Sequence, residues 1–357
     1  MKILQLIGNS AYGGATNIVI DISDALNKEF EVIIMANDKD TKIAFEKKGY
    51  KVYKIDSMCR DINPIKDIIS IFKLKKFIKE NKINIIHSHT SKGGAYSRLV
   101  KFIVKVKVIH TVHGFPFEYD NKIKNKMYRG IERFLSNISD YITFVNEKDY
   151  NYAKENYNNK KLRLTLNGVD EKCFSSRNKA NEKLIIGIVA RVVKQKGFDE
   201  FFMMVEKLQS NPSLNFQVLG TGPELEFYKN YALENNLNVD FLGFRNDVDS
   251  ILSTWDIFVL PSWREGLPIS TMEAMASSLP CVVTNIRGNN ELVIDGVNGF
   301  LVNVKDYKDL TSKVKYLVDN EETRIKMGIE GRRIIEKKYT KKQMINNYMN
   351  IYNDFQN

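Results

Sequence analysis

Two basic and two acidic residues in the second half of the chain have the types and spacing that a phosphate-bearing sugar ligand requires. Arg191 and Lys196 follow an apolar run, and fixed cations of this kind stabilise negative charge that develops on phosphate oxygens. Seven residues separate Glu265 from Glu273. Because ionised carboxylates are hydrogen-bond acceptors only, they suit sugar hydroxyls. The four side chains together predict a site that breaks a sugar–phosphate bond.

The segment around the two glutamates predicts a strand, a turn and then a helix. An apolar run ends at Leu260, and we expect the helix to begin after Pro268. Free amides in its first turn, with nearby hydroxyls, can bind phosphate. An ordinary strand–turn–helix connection would contain the same residue types. The predicted ligand contacts are Glu265, Gly266, Leu267, Pro268, Ser270, Thr271 and Glu273.

Glycines follow two other predicted strands and precede predicted helices. Gly13 and Gly14 lie near the start of the chain, and Gly220 and Gly222 lie in its second half. Glycine lets backbone amides approach a ligand closely, so Gly14 and Gly222 are candidate contacts. Phe244 follows a further predicted strand. Its ring either flanks a nucleotide base or packs against neighbouring residues of the protein. The spaced glycine fingerprint of dinucleotide-binding proteins is absent here, so nicotinamide chemistry gains little support.

All four histidines lie in one window, at the ends of two predicted strands. They are His87, His89, His110 and His113. A zinc site would use the same residue type, but no cysteine or Glu-x-x-His helix accompanies them, so we expect no bound metal. His113 follows its strand in a loop and is the histidine best placed to face a ligand cleft.

Short apolar runs rich in Ile and Val alternate with longer amphipathic stretches, which is typical of strand–helix–strand units around parallel sheets. The sequence therefore predicts an α/β fold. Strands are expected at 2–7, 31–36, 51–55, 83–87, 106–111, 141–145 and 162–166 in the first half of the chain. In the second half they are expected at 184–190, 215–219, 239–242, 257–260, 280–283 and 299–301, followed by helices at 321–338 and 341–355.

A polar stretch between Asp170 and Lys183 separates the two sets of strands and has little to bury. We therefore predict two domains, 1–170 and 171–340, each doubly wound. Ligands of such sheets bind beyond the carboxyl ends of the strands, so a cleft between the domains is the expected site.

The formal net charge of +11 is confined to the first half of the chain. Residues 1–170 contain 30 Lys and Arg against 19 Asp and Glu, while residues 171–357 contain 24 of each class. A basic surface favours nucleic acid, acidic lipid or a phosphorylated substrate. Solvated helix faces rich in lysine would give the same excess.

No apolar run reaches the length of a membrane-spanning helix, and the first residues become polar too soon for a signal peptide. We therefore expect a cytoplasmic protein. Cys59, Cys173 and Cys281 are widely spaced and odd in number, so we expect three buried thiols rather than disulfides.

Taken together, these residues resemble glycosyltransferase family 4, whose members are retaining enzymes of the GT-B fold. The resemblance spans nearly the whole chain and rests on Gly13-Gly14-Ala15, Asn167-Gly168-Val169-Asp170, Arg191 with Lys196-Gly197, Gly220-Thr221-Gly222-Pro223, and Glu265 with Glu273. Residues 89–94, 109–117 and 285–292 resemble bacterial capsule, exopolysaccharide and lipid-linked oligosaccharide transferases in particular.

The resemblance implies two Rossmann-like domains facing across a cleft, the first for the acceptor and the second for the nucleotide-sugar donor, with residues 341–357 returning to the first. In the family, the residues matching Arg191 and Lys196 bind the donor diphosphate, and the residue matching Glu273 binds the ribose. The residue matching Glu265 lies near the transferred sugar, and the one matching His113 contacts that sugar from the opposite domain. We therefore expect catalytic roles for His113, Arg191, Lys196 and Glu265.

The activity implied is metal-independent transfer of a hexose or N-acetylhexosamine from a UDP-sugar to a hydroxyl of an undecaprenyl-diphosphate-linked saccharide. No other cofactor and no nucleic acid would take part, and the basic first half would hold the enzyme on the anionic inner face of the cell membrane. Two alternatives remain open. One is a nucleotide-sugar epimerase of the same fold, and the other is a non-enzymatic protein that binds membrane or nucleic acid.

Overall fold

The computed structural model describes residues 1–9, 11–59, 61–115, 122–158, 161–175 and 183–356. The chain forms two compact units. The first comprises Met1–Leu166 and Met344–Asn357, and the second comprises Asn167–Gln343. The predicted boundary at 170 falls a few residues inside the second unit. Half of the polar stretch on which that prediction rests, 176–182, lies outside the described residues.

The first unit is built on a seven-stranded parallel sheet with strand order β3-β2-β1-β4-β5-β6-β7. Buried Ile, Val and Leu fill its central strands, because strands covered on both faces need apolar residues at successive positions. The strands are β1 (Lys2–Gly8), β2 (Glu31–Ala36), β3 (Val52–Tyr53), β4 (Ile85–Ser88), β5 (Lys107–Val112), β6 (Tyr141–Phe144) and β7 (Leu162–Leu164).

Helices connect these strands: α1 (Gly14–Leu26), α2 (Lys39–Lys47), α3 (Pro64–Asn81), α4 (Ser91–Val100), α5 (Lys122–Ser136) and α6 (Glu147–Asn156). Short polar side chains begin four of them by accepting a hydrogen bond from a first-turn amide. These caps are Asp38 of α2, Asn63 of α3, Thr90 of α4 and Asn146 of α6. Helix α4 contacts both α3 and α5.

The second unit has a six-stranded parallel sheet with strand order β10-β9-β8-β11-β12-β13. Its strands are β8 (Leu184–Val189), β9 (Leu214–Leu219), β10 (Val239–Gly243), β11 (Ile257–Leu260), β12 (Cys281–Thr284) and β13 (Gly299–Val302). Its helices are α7 (Phe198–Leu208), α8 (Leu225–Glu234), α9 (Val248–Leu252), α10 (Ile269–Ala276), α11 (Asn289–Leu292), α12 (Tyr307–Asp319) and α13 (Glu321–Lys338). The final helix, α14 (Lys341–Asn353), begins in the second unit and ends in the first.

The strand order reverses between β8 and β11, which are hydrogen-bonded neighbours. Such a switch point leaves a crevice beyond the carboxyl ends of the strands, where ligands of doubly wound sheets bind. The loop after β8 carries Arg191 and Lys196, and the loop after β11 carries Glu265. The topology therefore brings the two strongest sequence signals to adjacent strand ends.

The predicted fold class is confirmed, and each predicted strand is present with its ends within two residues of the expected positions. The prediction of three buried thiols is wrong. Cys281 is buried on β12, but Cys59 is only partly buried and Cys173 is exposed. Cys173 closes the turn Glu171-Lys172-Cys173 after Asp170, which is polar apart from the cysteine and lies at the surface. Among the described residues, no helix is both long enough and apolar enough to cross a bilayer.

Candidate functional site

Arg191 lies two residues after the end of β8 and is exposed at the carboxyl edge of the second sheet. Its guanidinium makes no hydrogen bond or ion pair with any residue that the structure describes. An exposed cation at a switch point, not engaged by a carboxylate, remains available to an anionic ligand.

Lys196 closes a short 3-10 turn, Lys194–Lys196, and its Nζ lies 2.6 Å from Glu265 Oε1. The two side chains are only 22% and 9% exposed, so this ion pair is shielded from solvent. The pair holds the ammonium and the carboxylate side by side at the switch point. A ligand there would meet a hydrogen-bond donor and an acceptor in fixed positions.

Further contacts join the loops that carry this ion pair. Trp263 N donates to Gln195 O at 2.8 Å, and the Gln195 side chain exchanges bonds with the main chain and guanidinium of Arg264 at 3.0 and 3.1 Å. Gly197 has φ of 74°, in the left-handed region, and a Cβ there would overlap the Pro261 carbonyl oxygen. Only glycine therefore fits between Lys196 and α7.

The start of α10 presents unoccupied donors. Pro268 is the cap residue, and no side chain caps the helix, so the first-turn amides lack intrahelical partners. The Thr271 side chain is buried, and its Oγ1 has no hydrogen-bond partner among the described residues. Ser270 is partly exposed beside it. A buried hydroxyl and free amides at a helix start match the requirements of a phosphate oxygen.

Glu273 lies one turn further along α10 and is partly buried. Burial raises the pKa of its carboxyl to about 8, and the negative charge of Asp249 adds to the effect. The Glu273 carboxyl makes no hydrogen bond or ion pair within the described part of the chain. A partly buried carboxyl without compensating donors is suited to receive ligand hydroxyls.

Leu267 and Pro268, both predicted ligand contacts, have buried side chains. The Leu267 carbonyl accepts a hydrogen bond from Asn167 Nδ2 at 3.3 Å. Their side chains therefore anchor the loop that leads to α10, while Gly266, between Glu265 and Leu267, is partly exposed.

The loop after β9 contains Gly220 and Gly222 and packs on the loop after β8. Val192 N donates to Thr221 O at 2.9 Å, and Glu224 N donates to Val192 O at 3.3 Å. Gly220 N donates to Gly243 O at 2.9 Å, which places Phe244 beside the same row of strand ends. The Phe244 ring is 54% exposed just after the edge strand β10, further from the switch point than the other candidates of this unit.

The loop after β12 supports the loop that carries Glu265. The sequence alone assigned no role to it. Asn289 Nδ2 donates to both oxygens of Thr284 at 3.1 Å, and Thr284 Oγ1 donates to Ser262 O at 2.5 Å. Gly288 has φ of 81°, and a Cβ there would overlap the Gly266 carbonyl oxygen. The sequence signal for this loop is Arg-Gly-Asn-Asn at 287–290, shortly after the predicted strand 280–283.

The remaining candidates, Gly14 and His113, belong to the first unit. Gly14 is the first residue of α1, directly after the loop that follows β1. His113 Nε2 lies 3.3 Å from His89 Nδ1, and burial lowers the pKa of His113 to about 4. The ring is therefore neutral at physiological pH. His113 lines a cavity of about 230 Å³ together with His89, His110, Gly114 and Glu132.

The other histidines are structural parts of a buried polar network. His87 bonds Thr111 Oγ1 at 2.6 Å and Tyr352 Oη at 2.5 Å, while His89 bonds Gln5 Oε1 at 2.7 Å. Burial lowers the pKa of both rings. In the part of the chain that the structure describes, no group of three or more His, Cys, Asp or Glu residues has metal-site geometry.

Two family models match the chain. The model described as "Glycosyltransferase Family 4" matches residues 12–172, and the one described as "Glycosyl transferases group 1" matches residues 169–334. Their junction at 169–172 falls close to the division between the two units.

A curated Escherichia coli protein named UDP-Gal:alpha-D-GlcNAc-diphosphoundecaprenol alpha-1,3-galactosyltransferase is 31% identical over 316 residues, covering 83% of this chain and 82% of its own. The Campylobacter jejuni N,N'-diacetylbacillosaminyl-diphospho-undecaprenol alpha-1,3-N-acetylgalactosaminyltransferase is 26% identical over 91% of both chains. The crystal structure of Anabaena HepE with UDP and glucose superposes with a TM-score of 0.83 at 17% identity, covering 99% of both chains.

Proposed function

The chain belongs to the glycosyltransferases of family 4 and group 1 and has the GT-B fold, and from this premise we propose that it transfers a hexose or N-acetylhexosamine from a UDP-sugar to a lipid-linked saccharide. One observation carries the donor assignment. At the carboxyl edge of the second sheet, Arg191, the Thr271 hydroxyl and the Glu273 carboxyl all lack partners among the described residues. A UDP-sugar supplies two phosphates and a ribose that match them.

The proposed contacts follow the chemistry of each group. Arg191, Lys196 and the first amides of α10 bind the diphosphate, because cations and helix starts favour anionic oxygens. Glu273 accepts hydrogen bonds from the ribose hydroxyls, and Glu265 accepts them from the sugar while its bond to Lys196 fixes its position. His113, neutral at physiological pH, is proposed to bind the sugar as well.

The proposed reaction retains the anomeric configuration and needs no metal. The bond between the anomeric carbon and the diphosphate oxygen breaks, and the acceptor oxygen bonds to that carbon on the same face. The acceptor proton passes to the departing phosphate, and UDP leaves. Arg191 and Lys196 stabilise the charge on that phosphate, which is the contribution a divalent cation makes in other transferases. Transfer should then proceed unchanged in EDTA, with a product of the same anomeric configuration as the donor by NMR.

The acceptor proposal rests on the relatives. The names of the Escherichia coli and Campylobacter jejuni proteins specify diphosphoundecaprenol-linked saccharides as acceptors. We propose an acceptor of the same chemistry for this chain, as used in capsule and O-antigen-type glycan synthesis. The reaction would then take place at the inner face of the cell membrane, and the basic first half of the chain would bind its anionic lipids.

Substitution of the two cations tests the proposed function. Arg191→Ala should lower kcat/KM by about a hundredfold or more, since one charge-stabilising donor is lost. Lys196→Ala should do the same and also leave the shielded Glu265 carboxylate without its partner. UDP release is measured with a panel of UDP-sugars and a lipid-diphosphate acceptor.

Arg333→Ala is the matched control, because Arg333 is an exposed arginine of the same unit on α13. Near-normal turnover of folded Arg191→Ala would refute the donor site. Conversion of the sugar without any acceptor would instead identify an epimerase.

A further inference from the structure

Exposed apolar side chains are concentrated in one part of the first unit. Half of the exposed large apolar residues in the described ranges lie between Ile62 and Phe134. The same part of the sequence, 62–136, contains sixteen Lys and Arg against five Asp and Glu, a net charge of +11 that equals the formal charge of the whole chain. Apolar exposure and positive charge therefore coincide.

Helix α5 carries a continuous apolar stripe on its outer side. Ile123, Met127, Ile131 and Phe134 are 81%, 48%, 44% and 60% exposed. With 3.6 residues per turn, the four side chains fall within an arc of about 80° along roughly 16 Å of helix. The buried residues of α5, among them Glu132 and Leu135, lie on a different face. The stripe is therefore additional to the face that packs on the core.

Basic residues flank this stripe on one side. Lys126, Arg129 and Arg133 are exposed and fall together on the helical wheel within about 60°. The helix thus has a buried face, an apolar outer stripe and a basic stripe. An amphipathic helix of this composition lies in a lipid interface, with its apolar side chains among the acyl chains and its cations at the headgroups.

Helix α3 repeats the pattern, and α4 packs between it and α5. Ile65, Ile68, Ile69 and Phe72 are exposed along its first turns, with Ile62 exposed just before the helix. Lys73, Lys76 and Lys79 are exposed further along the same helix. Two exposed apolar stripes with neighbouring lysines therefore fit one extended anionic surface. A single apolar pocket would fit such a surface less well.

We propose that the apolar stripes of α5 and α3 insert into an anionic bilayer, so that the first unit is held by apolar burial as well as by charge. This proposal deepens the proposed function, because it rests on a lipid-linked acceptor. It also makes a distinct claim about how the protein is attached to the membrane. Attachment by charge alone is lost at high salt, whereas insertion of apolar side chains persists.

Vesicle binding tests the proposal, with the purified full-length protein and vesicles of phosphatidylcholine with or without phosphatidylglycerol. Ile131→Gln with Phe134→Gln should weaken binding to anionic vesicles about tenfold or more at both low and high salt. Lys126→Gln with Arg133→Gln should weaken binding mainly at low salt. Phe227→Gln with Leu233→Gln is the matched control, because these residues are 61% and 76% exposed on α8 of the second unit, and it should leave binding unchanged.

The proposal is overturned if the α5 variant binds anionic vesicles as the unmodified protein does. It is also overturned if light scattering shows that the unmodified protein is a dimer and that the variant is a monomer with unchanged vesicle binding. A second copy of the chain would then cover the stripe. Binding is measured without any nucleotide sugar, and transfer to a short-chain acceptor in solution is measured separately. Loss of transfer alone would refute the proposed function and leave the docking result standing.

Discussion

At the scale of single residues, the candidate donor site combines a satisfied ion pair with groups that have no partner. Lys196 Nζ and Glu265 Oε1 are 2.6 Å apart, whereas the Thr271 hydroxyl and the Glu273 carboxyl have no hydrogen-bond partner among the described residues. A buried hydroxyl is normally paired, so the unpaired Thr271 hydroxyl supports the proposed ligand site. Under that proposal, ligand affinity is obtained at the expense of stability in the free protein.

The carboxyl of Glu273 makes this trade-off measurable. Its pKa is about 8 in the folded protein against an ordinary value of 4.5 for a glutamate in water, so the folded state holds the proton more tightly. Folding stability should therefore fall as pH rises from about 4.5 to about 8. Glu273→Gln removes this loss and should raise Tm by several degrees at pH 9 but little at pH 5, measured by calorimetry.

Donor binding should respond in the opposite direction, because ribose hydroxyls favour the ionised carboxylate. Affinity for a UDP-sugar, whose diester phosphates do not titrate near neutrality, should rise more than about tenfold between pH 6 and pH 8. In Glu273→Gln this pH dependence should disappear, and affinity should be low throughout. A pH-independent affinity of the unmodified protein would contradict the assignment.

At the scale of elements, the geometry of the site depends on close contacts between loops. The loops after β8, β11 and β12 contact one another through main-chain atoms at Gly197 and Gly288. Lys196 immediately precedes one of these glycines, so a shift of the loop would separate its ammonium from Glu265. The position of the cation is thus set by how closely two backbones approach.

Gly197→Ala tests this dependence. A Cβ at this position would overlap the Pro261 carbonyl oxygen and would also require a left-handed backbone, so we expect a loss of about 2 kcal/mol or more in folding free energy. Gly243→Ala is the control, because its φ of 66° is similar but a Cβ there meets no atom within 4 Å. It should lose only about 1 kcal/mol. Equal losses in urea unfolding would show that backbone conformation alone matters.

At the scale of the whole molecule, the chain leaves the first unit after Leu166 and returns to it at Met344. The returning helix α14 completes the buried polar network of the first unit. Tyr352 is fully buried, and its hydroxyl bonds both His87 and Gln5. The end of the sequence is therefore part of the core that positions the histidines.

Tyr352→Phe should destabilise the first unit by about 1–3 kcal/mol, since it leaves a buried histidine nitrogen and an amide without a partner. Calorimetry should show a lower Tm for this unit, with stabilisation of the second unit by a UDP-sugar retained. Tyr316→Phe, at a tyrosine 45% exposed on α12, should change neither. An unchanged Tm of Tyr352→Phe would mean that the network contributes no net stability.

The sequence by itself determined the α/β class, the position of every predicted strand, the strand ends that carry Arg191, Lys196 and Glu265, and the helix that carries Glu273. It could do so because buried parallel strands require unbroken apolar runs and because polar residues at strand ends stand out against them. Only the tertiary structure decided that Lys196 pairs with Glu265, that burial raises the pKa of Glu273, and that Gly288 packs against the main chain of Gly266. These features depend on contacts between residues distant in sequence, which no local pattern records. The +11 charge was visible from composition, but the apolar stripe beside it became evident only once one face of α5 was seen to be occupied by the core.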